Sequence, residues 1–360
     1  GLRKFFEKYN SAVSIEYMSN IEIEDGLNLN VCMDARYVIP KKVKEFMPDI
    51  VISFGGNIFA GIKEQFRKFA GEFEHWLVQE DGRVVDLYKS ITTIFECKPE
   101  YFFQYCVKMA DENQKNNREY YMGLKSYVES VVYPDFPYSH VYAIKEVVEK
   151  IPADSILHLS INDSIRITNF FKLNPKIKTY ANIGTHGIDG CLSSFLGQAV
   201  AGNKQSYLVI GDLAFFYDMN AMRLRHIKNN VHILLINNEG GSEFYFNHMW
   251  KDEASDLHTT ARHHTKAEGW VKSNDFIYLS AHDKESMQKA LKEFMRSDLD
   301  KPVFLEVFTE MKTDSDVIYD FFDLSRPKDI QSEAIRKSKE FIKATIGQEK
   351  AQKIAGLFKK

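Results

Sequence analysis

Short apolar runs that alternate with amphipathic stretches constrain this chain more than any other feature. Tyr207, Leu208, Val209 and Ile210 form one run, and Val231 to Ile236 hold the next. A strand apolar on both faces must be covered on both faces, which is the mark of a parallel sheet clad in helices. Further runs at 155–159, 178–181, 276–279 and 303–307 predict more strands. The stretches between them predict helices from about 164, over 188–201 and over 218–228. The first third repeats the pattern, with strands in 49–56, 76–78 and 93–95, a helix near 60–69, and a helix opened by Pro99 that runs to about Ala110. Proline is at home in a first helical turn. The chain therefore reads as α/β, with two doubly wound parallel-sheet domains. The polar stretch 111–119 marks their boundary. This gives a Rossmann-like domain over 1–112, a second domain over 113–325 and a basic helical tail over 326–360, with Ile335, Phe341, Ile342 and Ile346 on one stripe.

Charge excludes some partners. The 47 basic and 50 acidic residues leave a net charge of -3, which gives no electrostatic case for nucleic acid or an anionic membrane. No window reaches the ~18 consecutive apolar residues of a membrane span. Cys32, Cys97, Cys106 and Cys191 have no metal or redox spacing and read as free thiols of a reducing cytoplasm.

The chemistry lies at strand ends. Gly211-Asp212 closes one apolar run and Asn237-Asn238 closes the next, with room for one helix between. That puts a carboxylate beside a carboxamide at the carboxyl edge of neighbouring strands, where such sheets bind ligands. Mg²⁺ takes octahedral oxygen ligands, few from protein and several from phosphate and water. Asp212, Asn238 and the backbone carbonyl of Gly240 suit it, since Gly240-Gly241 lets the chain turn sharply. The amides of Leu213 and Ala214, at a helix start, suit phosphate. Asp163 and Gly184 follow two further strand ends and converge on the same edge.

These residues match the thiamine diphosphate fingerprint, Gly-Asp followed by Asn-Asn. The segment Asn182-Ile183-Gly184-Thr185-His186-Gly187-Ile188-Asp189-Gly190 resembles the cofactor loop of the menaquinone-pathway family 2-succinyl-5-enolpyruvyl-6-hydroxy-3-cyclohexene-1-carboxylate synthase. So do Gly211-Asp212-Leu213, Tyr217-Asp218-Met219-Asn220-Ala221 and Asn237-Asn238-Glu239-Gly240-Gly241, and 48–56 and 76–86 resemble its central domain. The resemblance implies thiamine diphosphate and Mg²⁺ as cofactors, a 2-oxo acid and an acceptor as substrates, and decarboxylation with carboligation. It implies that Asp212, Asn238 and Gly240 hold the metal and that Ile188 wedges under the cofactor and bends it. Gly184, Thr185 and His186 would border the pyrimidine, with His186 a candidate proton shuttle. Asp163 and Ser164 would touch the diphosphate beside Gly211, Leu213 and Ala214. It also implies a homodimer or homotetramer, and a further pyrimidine-binding domain, in cis or in trans, that supplies an activating glutamate.

Where the family grips carboxylates with basic residues, this chain has Thr168, Ile183 and Gly61-Ile62, with Arg166 and Lys63 nearby. A decarboxylase or lyase for another 2-oxo acid, or a non-catalytic subunit that keeps the fold, therefore stays open. His258, His263 and His264 lack the spacing of a zinc site, and His263 reads as structural. Phe244-Tyr245-Phe246 suits either a pocket wall or a core, and Gly55-Gly56-Asn57 is a weak nucleotide-loop signal.

Overall fold

In a computed structural model of the chain, apolar alternation resolves into two parallel sheets of three and six strands, beside a short parallel pairing of Val13–Ser14 with Gly26–Leu27. The structure describes residues 1–33, 40–56, 58, 61–112, 116–184, 186–245 and 258–324. The tail expected over 326–360, with its stripe, lies outside these residues, as do Asn57, Thr185 and Phe246.

The smaller sheet has three strands, β1 (Ile50–Phe54), β2 (Glu74–Val78) and β3 (Ile91–Phe95), in the order 1-2-3 and all parallel. Successive side chains point to opposite faces. Val51 joins the cluster built by Phe66, Phe69 and Phe73, and Ile52 and Phe54 join the one built by Phe5, Phe102 and Phe103. The helix Ile62–Arg67 supplies the first face, and Leu2–Lys8 with Pro99–Met109 supplies the second.

The larger sheet has six parallel strands: β4 (Ile156–Leu159), β5 (Lys178–Ala181), β6 (Ser206–Gly211), β7 (Val231–Asn237), β8 (Ile277–Ala281) and β9 (Val303–Phe308). Their spatial order is 8-9-7-6-4-5. Tyr207 and Val209 face the helices His140–Val148, Lys284–Phe294 and Met311–Leu324, while Leu208 and Ile210 face Cys191–Ala201 and Asp212–Asp218. Every residue of β7 is buried. Each fully covered Leu or Ile contributes roughly 1.5–3 kcal/mol relative to exposure. The chain leaves β4 for β5 on one side and returns to β6 on the other, so the carboxyl ends of β4 and β6 flank a crevice, the usual ligand position in such sheets.

Helix boundaries depart from expectation. The helix expected over 218–228 instead occupies Asp212–Asp218, and Met219–Arg223 is a tighter 3₁₀ turn. Asp218 is the last residue of that helix, and its carboxylate accepts from both the amide and the hydroxyl of Ser193, at 2.7 and 2.9 Å. The helix expected from 188 begins at Cys191, because Gly190 stands at φ +72°, where helical hydrogen bonding cannot start. The four cysteines are free. No helix among the described residues is long and apolar enough to cross a membrane.

Candidate functional site

Asp212 ends β6 and is 2% exposed. Its Oδ2 accepts from the amides of Asn238 at 3.1 Å and Gly240 at 3.0 Å, and its Oδ1 from the Leu213 amide at 2.6 Å. The two halves of the sequence signature thus meet directly, at the ends of adjacent paired strands. The Leu213 amide is turned onto Asp212.

The asparagines divide their tasks. Asn237 is spent on the fold: its Nδ2 donates to Glu306 at 2.7 Å and to the Thr265 carbonyl at 3.0 Å, and its Oδ1 accepts from the Glu239 amide. Asn238 has its Nδ2 fixed on Asp314 at 2.9 Å. Among the described residues no hydrogen bond reaches its Oδ1, which is left as an acceptor.

Gly240 stands at φ +151°, and a Cβ there would lie 2.6 Å from the Thr260 carbonyl oxygen. Only glycine fits. Its carbonyl accepts from the Ser242 amide at 3.1 Å, and a carbonyl oxygen has a second lone pair. A buried carboxylate, a carboxamide oxygen without a partner among the described residues and a glycine carbonyl therefore lie on two segments that the Asp212 hydrogen bonds tie together. All are hard oxygen donors, which suit Mg²⁺ better than a softer metal.

His263 borders the same carboxylate. Its Nδ1 accepts from the Thr265 amide at 3.1 Å, so in the neutral ring the proton sits on Nε2, 3.4 Å from Asp212 Oδ2. The nearby Asp212 carboxylate raises its pKa against the effect of burial. His264 pairs instead with Glu239 at 3.1 Å on the surface. Among the described residues no three His, Cys, Asp or Glu side chains converge as a metal site.

Asp163 and Ser164 open the helix Asp163–Thr168 after β4, and Asp163 Oδ2 accepts from Ser242 Oγ at 2.9 Å, next to Gly240-Gly241. Arg166 lies 3.8 Å from Asp163 and 3.4 Å from Glu243. Behind them stands a buried histidine that sequence reasoning missed. The His140 ring lies 3.3 Å from Asp314 and 3.7 Å from Asp163. Burial alone pushes its pKa down; the two carboxylates outweigh this and raise it to about 10. Burial likewise pushes Asp163 up, and His140, Arg166 and Ser242 bring it below its ordinary value. Glu243 is raised by burial and by Asp163. One sequence signal marked this network. Asp314 stands on the same helical stripe as Val317, Ile318 and Phe321, and His140 adjoins Val141, Ile144, Val147 and Val148, so each is a charge on an apolar face.

Gly184, His186 and Ile188 lie on a second, exposed loop. Asn182 Nδ2 donates to the Asp189 carbonyl at 3.1 Å and closes that loop on itself. Ser193, just past it, ties it to Asp218 and hence to the helix that Asp212 begins. Ile188 is 36% exposed, an aliphatic side chain kept out of both cores, and His186 stands at φ +53°. Thr185 lies outside the described residues. Thr168 is fully buried and Ile183 packs on the core, so neither offers a polar group to a ligand. Phe244 is 47% exposed just after Gly240-Gly241. A cavity of about 1140 Å³ runs beside β1 and reaches Ala181 and Ile183 at the start of the loop that carries Gly184, and its lining includes Phe5, Ile52, Phe54 and Trp76.

No family model matches the chain. Curated proteins do. The chain is 33% identical over 288 residues to the 2-succinyl-5-enolpyruvyl-6-hydroxy-3-cyclohexene-1-carboxylate synthase of Phocaeicola vulgatus, covering 79% of this chain and 51% of that one. It is 33% identical over 297 residues to the same-named protein of Bacteroides thetaiotaomicron, covering 82% and 53%. With that of Flavobacterium johnsoniae the identity is 29% over 293 residues, covering 78% and 51%. The chain spans about half the length of the curated relatives it matches. It is a sequence relative of the 2-succinyl-5-enolpyruvyl-6-hydroxy-3-cyclohexene-1-carboxylate synthases and resembles about half of one.

Proposed function

We propose that this chain holds the Mg²⁺ and diphosphate of thiamine diphosphate, and that its full-length protein is a cytoplasmic 2-oxo-acid decarboxylase and carboligase of menaquinone biosynthesis. The observation that carries the reading is the Asp212 carboxylate accepting from the backbone amides of Asn238 and Gly240, which brings the two halves of the signature together at the carboxyl edge of β6 and β7. Residues 1–112 would form the central domain and 113–325 the cofactor domain. The activating pyrimidine-binding domain would come in cis or from a partner in a homodimer or homotetramer.

Bound there, the cofactor supplies the carbanion chemistry by which a 2-oxo acid loses CO₂ and its acyl carbon passes to an acceptor. The chain's own residues bind, orient and shield. Asp212, Asn238 and the Gly240 carbonyl hold the metal. Gly211, Leu213, Ala214, Asp163 and Ser164 border the diphosphate. Ile188 presses on the cofactor from the exposed loop, and Gly184, Thr185 and His186 border its ring, with His186 placed to carry a proton. An amphipathic wall of this kind excludes water from the reacting centre.

A second reading, a 2-oxo acid other than 2-oxoglutarate, is favoured by the burial of Thr168 and the core packing of Ile183, which leave no cation at those positions. A dicarboxylate substrate calls for such cations.

Calorimetry of thiamine diphosphate binding to the full-length protein tests the proposal. Binding is expected to require Mg²⁺ and to vanish in Asp212→Ala. Binding indifferent to chelator, or retained in the variant, refutes the site. Release of CO₂ from 2-oxoglutarate but not pyruvate supports the first reading; the reverse supports the second.

A further inference from the structure

We infer that Asp314 is a positioning residue for the metal site: it dictates which end of the Asn238 amide faces Mg²⁺. This rests on the metal reading above and deepens it.

A carboxamide is a poor metal ligand unless something fixes its polarity. Its oxygen and nitrogen are nearly equal in size, and a half-turn presents either. An N–H pointed at Mg²⁺ repels it. In this structure Asn238 Nδ2 donates to Asp314 Oδ2 at 2.9 Å. The flipped amide would set its oxygen against a carboxylate oxygen, two acceptors with no proton between them. Asn238 Oδ1 is thereby turned away from Asp314, and it is the atom without a partner.

Asp314 is itself held on both sides. Its Oδ2 also accepts from Thr309 Oγ1 at 2.6 Å, and its Oδ1 accepts from the His140 amide at 2.7 Å. The His140 ring lies 3.3 Å from that same oxygen. Asp314 is fully buried, so its orientation is set by protein alone. Thr309 follows β9, and its amide donates to the Asn237 carbonyl at 3.1 Å, which ties the pair to the end of β7, one residue before Asn238. Outer partners of this kind, which orient a ligand without touching the metal, typically govern affinity by 10–100-fold.

The test reverses the polarity of the pair. In Asp314→Asn, the oxygen of the new side chain takes the His140 amide. Its NH₂ then faces Asn238 and forces that amide to flip. The Mg²⁺ concentration needed for half-maximal thiamine diphosphate binding by the full-length protein is expected to rise about 10–100-fold. Adding Asn238→Asp should restore it to within about threefold of wild type, because the NH₂ at 314 then donates to one carboxylate oxygen while the other faces the metal. A merely structural Asp314 gives no such rescue. Thermal melts of the metal-free variants report folding separately. If Asp314→Asn does not fold, the double variant is compared with Asn238→Asp alone, in which two carboxylates oppose each other. A double variant no better than that single one overturns the inference. So does an unchanged Mg²⁺ requirement in Asp314→Asn while Asp212→Ala abolishes binding, and that outcome leaves the cofactor reading intact. Binding without any Mg²⁺ dependence in the wild type overturns both.

Discussion

Replacing Gly240 with alanine separates the steric demand of the loop 238–241 from the metal chemistry proposed for it. At φ +151° an L side chain is strained, at a cost of about 1–3 kcal/mol. The new Cβ would also lie 2.9 Å from Met311 Cε and 2.6 Å from the Thr260 carbonyl oxygen. The methionine end swings away at little cost. The carbonyl does not, because it accepts from the Gly241 amide at 2.7 Å. The loop must therefore shift, and strain and overlap together cost on the order of 2–4 kcal/mol. At roughly 2–4 °C per kcal/mol the melting temperature falls by several degrees. The same shift carries the amides of Asn238 and Gly240 off Asp212 Oδ2, so Mg²⁺-dependent cofactor binding should weaken even at temperatures where the variant is folded. Thermal unfolding and calorimetry on the same sample read both effects. A midpoint within about one degree of wild type refutes the steric argument. A lowered midpoint with unchanged binding keeps the strain but refutes the claim that these amides hold the carboxylate in place.

Gly197 is the opposite case. It lies within the helix Cys191–Ala201 with nothing within 4 Å of an added Cβ, so Gly197→Ala should stabilise by about 0.5–1 kcal/mol in denaturant titration. Phe215 is fully buried against Phe304 on the helix that Asp212 begins; Phe215→Ala should cost about 3–5 kcal/mol by the same measurement. The His140 network sets a pH window. A histidine whose pKa rises from about 6.5 on folding contributes stability that is complete below pH 6.5 and lost as pH climbs towards about 10. Asp163, held below its ordinary value, contributes stability present above about pH 4 and lost in acid. Unfolding midpoints should therefore fall on the alkaline side in wild type and flatten there in His140→Gln; parallel profiles would contradict the pairing.

Much of the fold was legible because a parallel strand buried on both faces leaves a continuous apolar run. Each run read from the chain, from Val51 to Phe304, corresponds to a strand. Helix limits were less legible. They turn on single side-chain contacts, such as Ser193 with Asp218, that periodicity does not encode. At the site, Asp212 and Asn238 were readable because both end apolar runs one helix apart. The burial of Thr168 and the role of Asn237 were not, and His140 and Asp314 were marked only as charges on apolar faces, not as partners.

The sequence by itself determined the sheets, the strand ends and the oxygen-rich residues gathered there, since local patterning carries that information. Only the tertiary structure decided which oxygen of which asparagine is left for a ligand. That choice belongs to Asp314, 76 positions along the chain from Asn238, held in turn by His140 a further 174 positions back. A hydrogen bond depends on distance in space, and neither spacing nor periodicity in sequence records it.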